Sequence, residues 1–389
     1  MRLAFICSGL EPGRDGIGDF ARTLAAACAA AGHESRLVAV RDTFCGGEVK
    51  GLRPSYPEPR FRDIFRYPGE MRSLAAWFRD FQPQWVSVQF TPFGFHQRGL
   101  GARRASDLRA LLSPLTQRHL MLHETWLQPG PEGSWRHRIL GRLQRRSVLS
   151  WLTSGWQPDV IHTQARLHLA RLHTRGIPAQ LLPLCTAFTS PSASLAEARA
   201  LLAPTLRDPA GAKTNVDASA LWIGHFGTLH REGWDFPSYA AKLAAIHSRR
   251  ICFLALGRAR AISQIWAAAA RAVPQADFRL LGELPADKVT LAMRACDAAI
   301  TSTPWDIIEK SSAVAAWRAV GVPVLVTRGP APHNGDLPPW PDAGLLLANE
   351  VGPKLAGPFQ NVPGPPFLSP AHAAGTFLSA LAANGSTLA

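Results

Sequence analysis

Glu309, Lys310, Ser311 and Ser312 place a carboxylate, an ammonium and two hydroxyls on four consecutive positions. Behind them run small apolar residues (313–320), then Gly321 and the apolar stretch 322–326; ahead of them lies Thr303-Pro304. Serine is a favoured helix-start residue, and glycine a stop. The pattern predicts a strand ending near Thr301, a loop broken by proline, a helix over 313–320 and a further strand. A helix that starts there offers unpaired amides and the positive end of its dipole to an anion, with Lys310 as an added charge. The plain alternative is that the serines only cap a helix while Glu309 and Lys310 sit in water. Lys310 is one of six lysines in a chain with 36 arginines.

Three other stretches have chemistry to offer. The apolar segment 3–7 opens into a Gly-rich loop containing Gly16, Gly18 and Asp19 before a helical segment over 20–31. Glycines there let backbone amides approach a ligand, although their spacing is not that of a dinucleotide fingerprint. His123 and Glu124 follow the predicted strand 118–122, and ligands of open parallel sheets bind beyond strand carboxyl ends. Residues 135–156 interleave Arg136, Arg138, Arg142, Arg145 and Arg146 with Trp, Ile and Leu. Such a helix suits an anionic bilayer or a phosphate-bearing acceptor, or is a core helix with a solvated face.

The elements that must position these groups alternate. Strands are expected near 3–7, 36–40, 85–90, 118–122, 159–163 and 180–184, and again at 220–226, 251–256, 278–281, 298–301 and 322–326, with helices between them. Two βαβ series imply an α/β chain of two Rossmann-like parallel-sheet domains facing across a cleft. The expected division is 1–186, a linker over 187–217, a second domain over 218–365, and 366–389 as a helix packing back on the domains.

The whole chain is consistent with this. Its 389 residues, 47% hydrophobic, suffice for two cores of roughly 150–200 residues each. The net charge of +14 favours an anionic partner: a nucleotide, a phosphorylated lipid, a membrane surface or nucleic acid. Nucleic acid is disfavoured, because no aromatic-lined groove or known module accompanies the charge. Six scattered cysteines without metal spacing read as buried thiols of a reducing cytoplasm. The apolar N-terminal run is too short for a signal peptide, and no run approaches a spanning helix. Any membrane contact is then peripheral.

Four stretches together resemble the GT-B glycosyltransferases, specifically the retaining family 4-like group. They are the loop Gly16-Ile17-Gly18-Asp19, the segment His123-Glu124-Thr125-Trp126, the loop at Gly227, and 309–324 closing with Gly321-Val322-Pro323-Val324. The resemblance runs over nearly the whole chain. It implies transfer of a hexosyl-type sugar from a nucleotide-sugar donor to a glycan, lipid-linked or other glycoconjugate acceptor, as in polysaccharide biosynthesis, with no cofactor and no required metal. By that analogy Gly16 and Gly18 approach the donor diphosphate, and His123 and Glu309 are the catalytic positions. Lys310, Ser311 and Ser312 hold the departing diphosphate, and Asp19 and Glu124 lie toward the acceptor.

The sequence departs from that pattern in three places. Ala316 or Trp317 stands where the second acid of the E-x7-E element, which holds the ribose, is expected. Thr228 stands where an arginine of a basic pair is expected, leaving Arg231 or Arg258 to supply the charge. The acceptor side carries no signature. Two further readings follow: a GT-B nucleotide-sugar epimerase, and a non-catalytic GT-B scaffold.

Overall fold

The computed structural model describes residues 1–45, 58–130, 133–208, 219–227, 235–247, 249–257, 262–338, 340–348 and 362–385. The chain divides into two compact units: Met1–Cys185 with Ser369–Ala389, and Thr186–Leu368.

The first unit alternates β1 (Arg2–Cys7), α1 (Gly16–Ala30), β2 (Glu34–Ala39), α2 (Pro68–Phe81), β3 (Trp85–Phe90), the short helices α3 (Pro92–Phe95) and α4 (Gly101–Ala105), β4 (Gln117–Leu122), α5 (Trp135–Ser150), β5 (Val160–Thr163), α6 (Arg166–His173) and β6 (Gln180–Leu181). All strand pairs are parallel, in the order β2-β1-β3-β4-β5-β6. β3 is buried along its whole length, as the near-continuous apolar run of a two-sided parallel strand requires.

The second unit holds α7 (Leu195–Leu202), β7 (Leu221–Phe226), α8 (Phe236–Ile246), β8 (Ile251–Leu256), α9 (Ile262–Ala272), β9 (Asp277–Gly282), α10 (Ala286–Arg294), β10 (Ala298–Pro304), α11 (Ser312–Ala319), β11 (Val324–Arg328) and β12 (Leu345–Leu347). Its sheet is parallel too, in the order β12-β11-β10-β7-β8-β9. After this unit the chain returns to the first one as helix α12 (Pro370–Gly385), whose Phe377 is fully buried against Phe5, His119 and His162.

Three local outcomes differ from the sequence expectation. Helix α1 begins at Gly16, not Phe20, because the Asp15 carboxylate accepts from the Ile17 and Gly18 amides and caps it there. The supposed linker 187–217 contains α7, closed by a capping box between Ser194 and Glu197, and its Ala198 and Leu202 are buried in the second unit's core. Strand β10 continues through Pro304, with a register shift between Thr301 and Pro304 that accommodates a residue lacking an N–H.

Candidate functional site

In each sheet the strand order reverses once, between β1 and β3 in the first unit and between β7 and β10 in the second. Such a switch point leaves a crevice outside the strand carboxyl ends, because successive connections depart to opposite faces there. The loops after β1, β3, β7 and β10 therefore come first.

In the second unit, the loop after β10 carries the segment singled out above. A tight helical stretch (Trp305–Lys310) leads into α11, and Glu309 is buried while Lys310 is half-buried. Ser311 is the N-cap, accepting from the Val314 amide at 3.4 Å and from the Thr303 hydroxyl at 3.4 Å. Thr301 and Thr303 extend this hydroxyl cluster, 3.1 Å apart. Ser312 is exposed at the first helical position, where amides have no intrahelical acceptor. The loop after β7 meets the same place: Gly227, at φ 89°, lies where a Cβ would stand 3.2 Å from the Ala313 Cβ. Backbone and helix start converge there, and the positive φ is one that favours glycine. Arg231 and Arg258 lie outside the described residues.

Asp306 braces this segment. Its Oδ2 accepts from the Ala331 amide at 3.0 Å and from Asn334 Nδ2 at 2.6 Å, tying the loop after β10 to that after β11. Where the second acid of E-x7-E is expected, Ala316 and Trp317 are both buried, so neither reaches a ligand. The next residue, Arg318, is fully buried as well. Its Nε donates to both Asp342 oxygens at 2.9 Å, and its guanidinium also donates to the carbonyls of Val322, Val362 and Pro363. This face of α11 is structural.

In the first unit, His123 and Glu124 do follow β4 at its carboxyl end. Glu124 Oε2 accepts from the Thr91 hydroxyl at 2.9 Å, joining the loops after β3 and β4. His123 is 5% exposed, with Phe20 edge-on to its ring. Its Nε2 lies 2.9 Å from Gln89 Oε1 and its Nδ1 3.1 Å from Gln164 Oε1. A neutral imidazole donates from only one nitrogen. The Gln164 amide supplies the complementary donor when its Nε2, otherwise without a partner among the described residues, turns toward Nδ1. A ligand would have to compete with these glutamines for the ring nitrogens.

The chain continues inward. Gln89 Nε2 donates to Ser87 Oγ at 2.7 Å, Ser87 Oγ is 2.7 Å from His119 Nδ1, and His119 Nε2 is 2.9 Å from His162 Nδ1. All six side chains are buried and come from one face of β3, β4 and β5 and their ends. Burial pushes His119 well below the usual histidine range and His162 down to about 4, so both are neutral. Sequence reasoning found His123 and missed the rest, although the period-2 pairs Ser87/Gln89 and His162/Gln164 were available as polar positions in apolar strands.

The Gly16–Asp19 loop turns out to be the first turn of α1. Gly18 gives its amide to Asp15, and a Cβ on it would stand 2.8 Å from the Gly9 carbonyl oxygen. Gly16 has open space around it. Asp19 accepts from the Gly13 amide at 3.0 Å and lies 3.8 Å from Arg22, with its carboxyl raised by burial. These residues fold the β1–α1 loop back on itself, and the Gly18 amide is not turned outward.

No protein-family model and no curated protein matches the chain. Solved structures do. HepE of Anabaena in complex with UDP and glucose shares 14% identity, with 100% of both chains covered and a TM-score of 0.60. Sucrose-phosphate synthase of Thermosynechococcus elongatus shares 15%, over 97% of this chain and 90% of that one, at 0.58. The fold is that of the GT-B glycosyltransferases. UDP-GlcNAc 2-epimerase of Methanocaldococcus jannaschii has a similar structure at 10% identity, over 98% and 100% of the two chains, with a TM-score of 0.54. At these identities the likeness is one of fold. Among the described residues, no cluster of His, Cys, Asp or Glu has the arrangement of a metal site.

Proposed function

We propose that the chain is a glycosyltransferase that moves a hexosyl-type sugar from a nucleotide-sugar donor to a glycan, lipid-linked or other glycoconjugate acceptor, with retention, as a family 4-like enzyme of polysaccharide biosynthesis. The observation that carries this reading is the meeting of Gly227 with the start of α11 at the switch point of the second sheet. Lys310, Ser311 and Ser312 immediately precede Ala313 in the chain and bring a cation and two hydroxyls to the start of α11. Breaking a bond from sugar to diphosphate piles negative charge on the leaving group, and preorganised donors there lower the barrier most. On this reading Lys310 and the α11 amides hold the diphosphate, Arg231 or Arg258 adds charge, Glu309 faces the donor, and His123 with Glu124 and Asp19 serves the acceptor side. The reaction uses no cofactor and no metal, and the protein works in the cytoplasm, with any membrane contact peripheral.

A thermal-shift screen of UDP, GDP, ADP, TDP and CDP, with and without their sugars, tests it. Selective stabilisation by one diphosphate is expected. Lys310→Ala should weaken binding of that diphosphate far more than of its nucleoside; equal losses would remove the phosphate assignment. The buried Ala316 and Trp317 at the ribose-acid position favour, as a second reading, a GT-B scaffold without turnover. Absence of any shift would select it. An epimerase would convert the donor sugar with no acceptor present, which product analysis separates from transfer.

A further inference from the structure

The polar chain beneath His123 has a direction. Gln89 Nε2 donates to Ser87 Oγ, so Gln89 Oε1 is the atom that faces His123 Nε2, and that nitrogen carries the proton. The Ser87 hydroxyl then donates to His119 Nδ1, and His119 Nε2 donates to His162 Nδ1. Burial keeps His119 and His162 neutral, so each donates from one nitrogen only and the direction is passed along. The opposite direction would set the Gln164 oxygen against a protonated Nδ1 and leave the buried Gln164 NH2 group with no partner among the described residues. Register builds the chain: Ser87 and Gln89 share one face of β3, and Ser87 lies opposite His119 of β4. Phe377 of α12 covers the inner end, its ring centroid 4.9 Å from that of His119 and 6.4 Å from that of His162.

We propose that Ser87, His119 and His162 are positioning residues that act through Gln89 to hold His123 in the Nε2–H tautomer, with Nδ1 kept as a hydrogen-bond acceptor for a substrate hydroxyl. Nδ1 is the nitrogen that a ligand can take over. Gln164, which covers it at 3.1 Å, follows β5 at its carboxyl end and has no other partner for its amide nitrogen among the described residues, whereas Gln89 is held at both ends of its amide. An unprotonated Nδ1 accepts from a hydroxyl; a proton there would turn the same hydroxyl away. An apolar face on β3, β4 and β5 would pack as well, but a satisfied polar chain also specifies one orientation of the ring at its end. The role in turnover rests on the transferase reading, in which His123 serves the acceptor side; the tautomer does not.

The test is long-range proton–nitrogen correlation spectroscopy of the full chain carrying isotopically labelled histidine, which tells the two tautomers and the imidazolium apart. A His123→Asn variant identifies the His123 signals among those of 13 histidines. A single Nε2–H tautomer is expected at His123 in the unaltered chain. Ser87→Ala and His119→Leu each cut the chain and should give a mixture of tautomers, while His119→Asn, which keeps an acceptor near the Nδ1 position, should restore the single one. Release of diphosphate from UDP-, GDP-, ADP-, TDP- and CDP-glucose, with water standing in for the acceptor, is the catalytic arm. On the donor that is turned over, the two cut variants should lower kcat on the order of tenfold with KM unchanged, and His119→Asn should recover most of the loss. A dominant Nδ1–H tautomer or an imidazolium in the unaltered chain overturns the proposal, as does an unchanged tautomer in both cut variants. A changed tautomer with unchanged kcat overturns the positioning role. If a cut variant fails to fold, as a circular-dichroism melt would show, the tautomer of the unaltered chain decides. Absence of turnover on every donor removes the transferase reading instead, and the tautomers still decide whether the chain sets the polarity of His123.

Discussion

Trp317 of α11 lies across Gly224 of β7 so closely that a Cβ at position 224 would stand 2.2 Å from the indole. Gly224→Ala must therefore displace a fully buried tryptophan beside the site-bearing helix, and should destabilise the second unit by about 1–3 kcal/mol. Urea unfolding measures this. In a Trp317→Leu background the penalty should shrink, and equal penalties in both backgrounds would show that the indole is not the obstacle.

Arg318→Met should cost about 3–5 kcal/mol, because it strands the buried Asp342 carboxylate without its partner. The double variant with Asp342→Asn should recover part of the loss. No recovery would mean that the carbonyls of Val322, Val362 and Pro363, rather than the carboxylate, account for the effect.

Gly18→Ala should lower the melting temperature of the chain while leaving nucleoside-diphosphate binding intact, since its missing Cβ makes room for the Gly9 carbonyl. A selective loss of diphosphate affinity at unchanged stability would restore Gly18 as a donor contact.

His162 sits at about 4 in the folded chain against 6.5 as an ordinary histidine, and His119 is lowered as well. The unfolded chain then binds protons that the folded chain refuses, so stability falls as pH drops from about 6.5 toward 4 and is regained as it rises. For His162 alone the full effect is about 3 kcal/mol. His162→Gln should flatten the slope of stability against pH in that window, as read from thermal midpoints; an unchanged slope would place the acid sensitivity elsewhere.

The alternation of strands and helices was legible because most parallel strands are apolar runs, some of them closed by glycine or proline, as at 85–90 and 251–256. Helix α7 was missed, since its alanines and leucines sit among serines and prolines, although Ser194 and Glu197 have the spacing of a capping box. Among candidate site residues, the start of α11 was readable from Ser311, a local cap. Gly18 is readable in two ways, because a glycine that admits a ligand and one that admits a neighbouring carbonyl look alike in one dimension. The partners of His123 come from two other strands, and pairing across strands is set by register, which no single segment encodes.

Helix α12 belongs to the first unit but is encoded after the whole of the second. A ribosome that has released Cys185 has therefore made every strand of the first sheet without the cover for Phe5, His119 and His162. The second unit has to be threaded through synthesis before that face is sealed. Until then the helix that packs Phe377 against His119 and His162 is missing, so the first unit is completed last even though it is begun first.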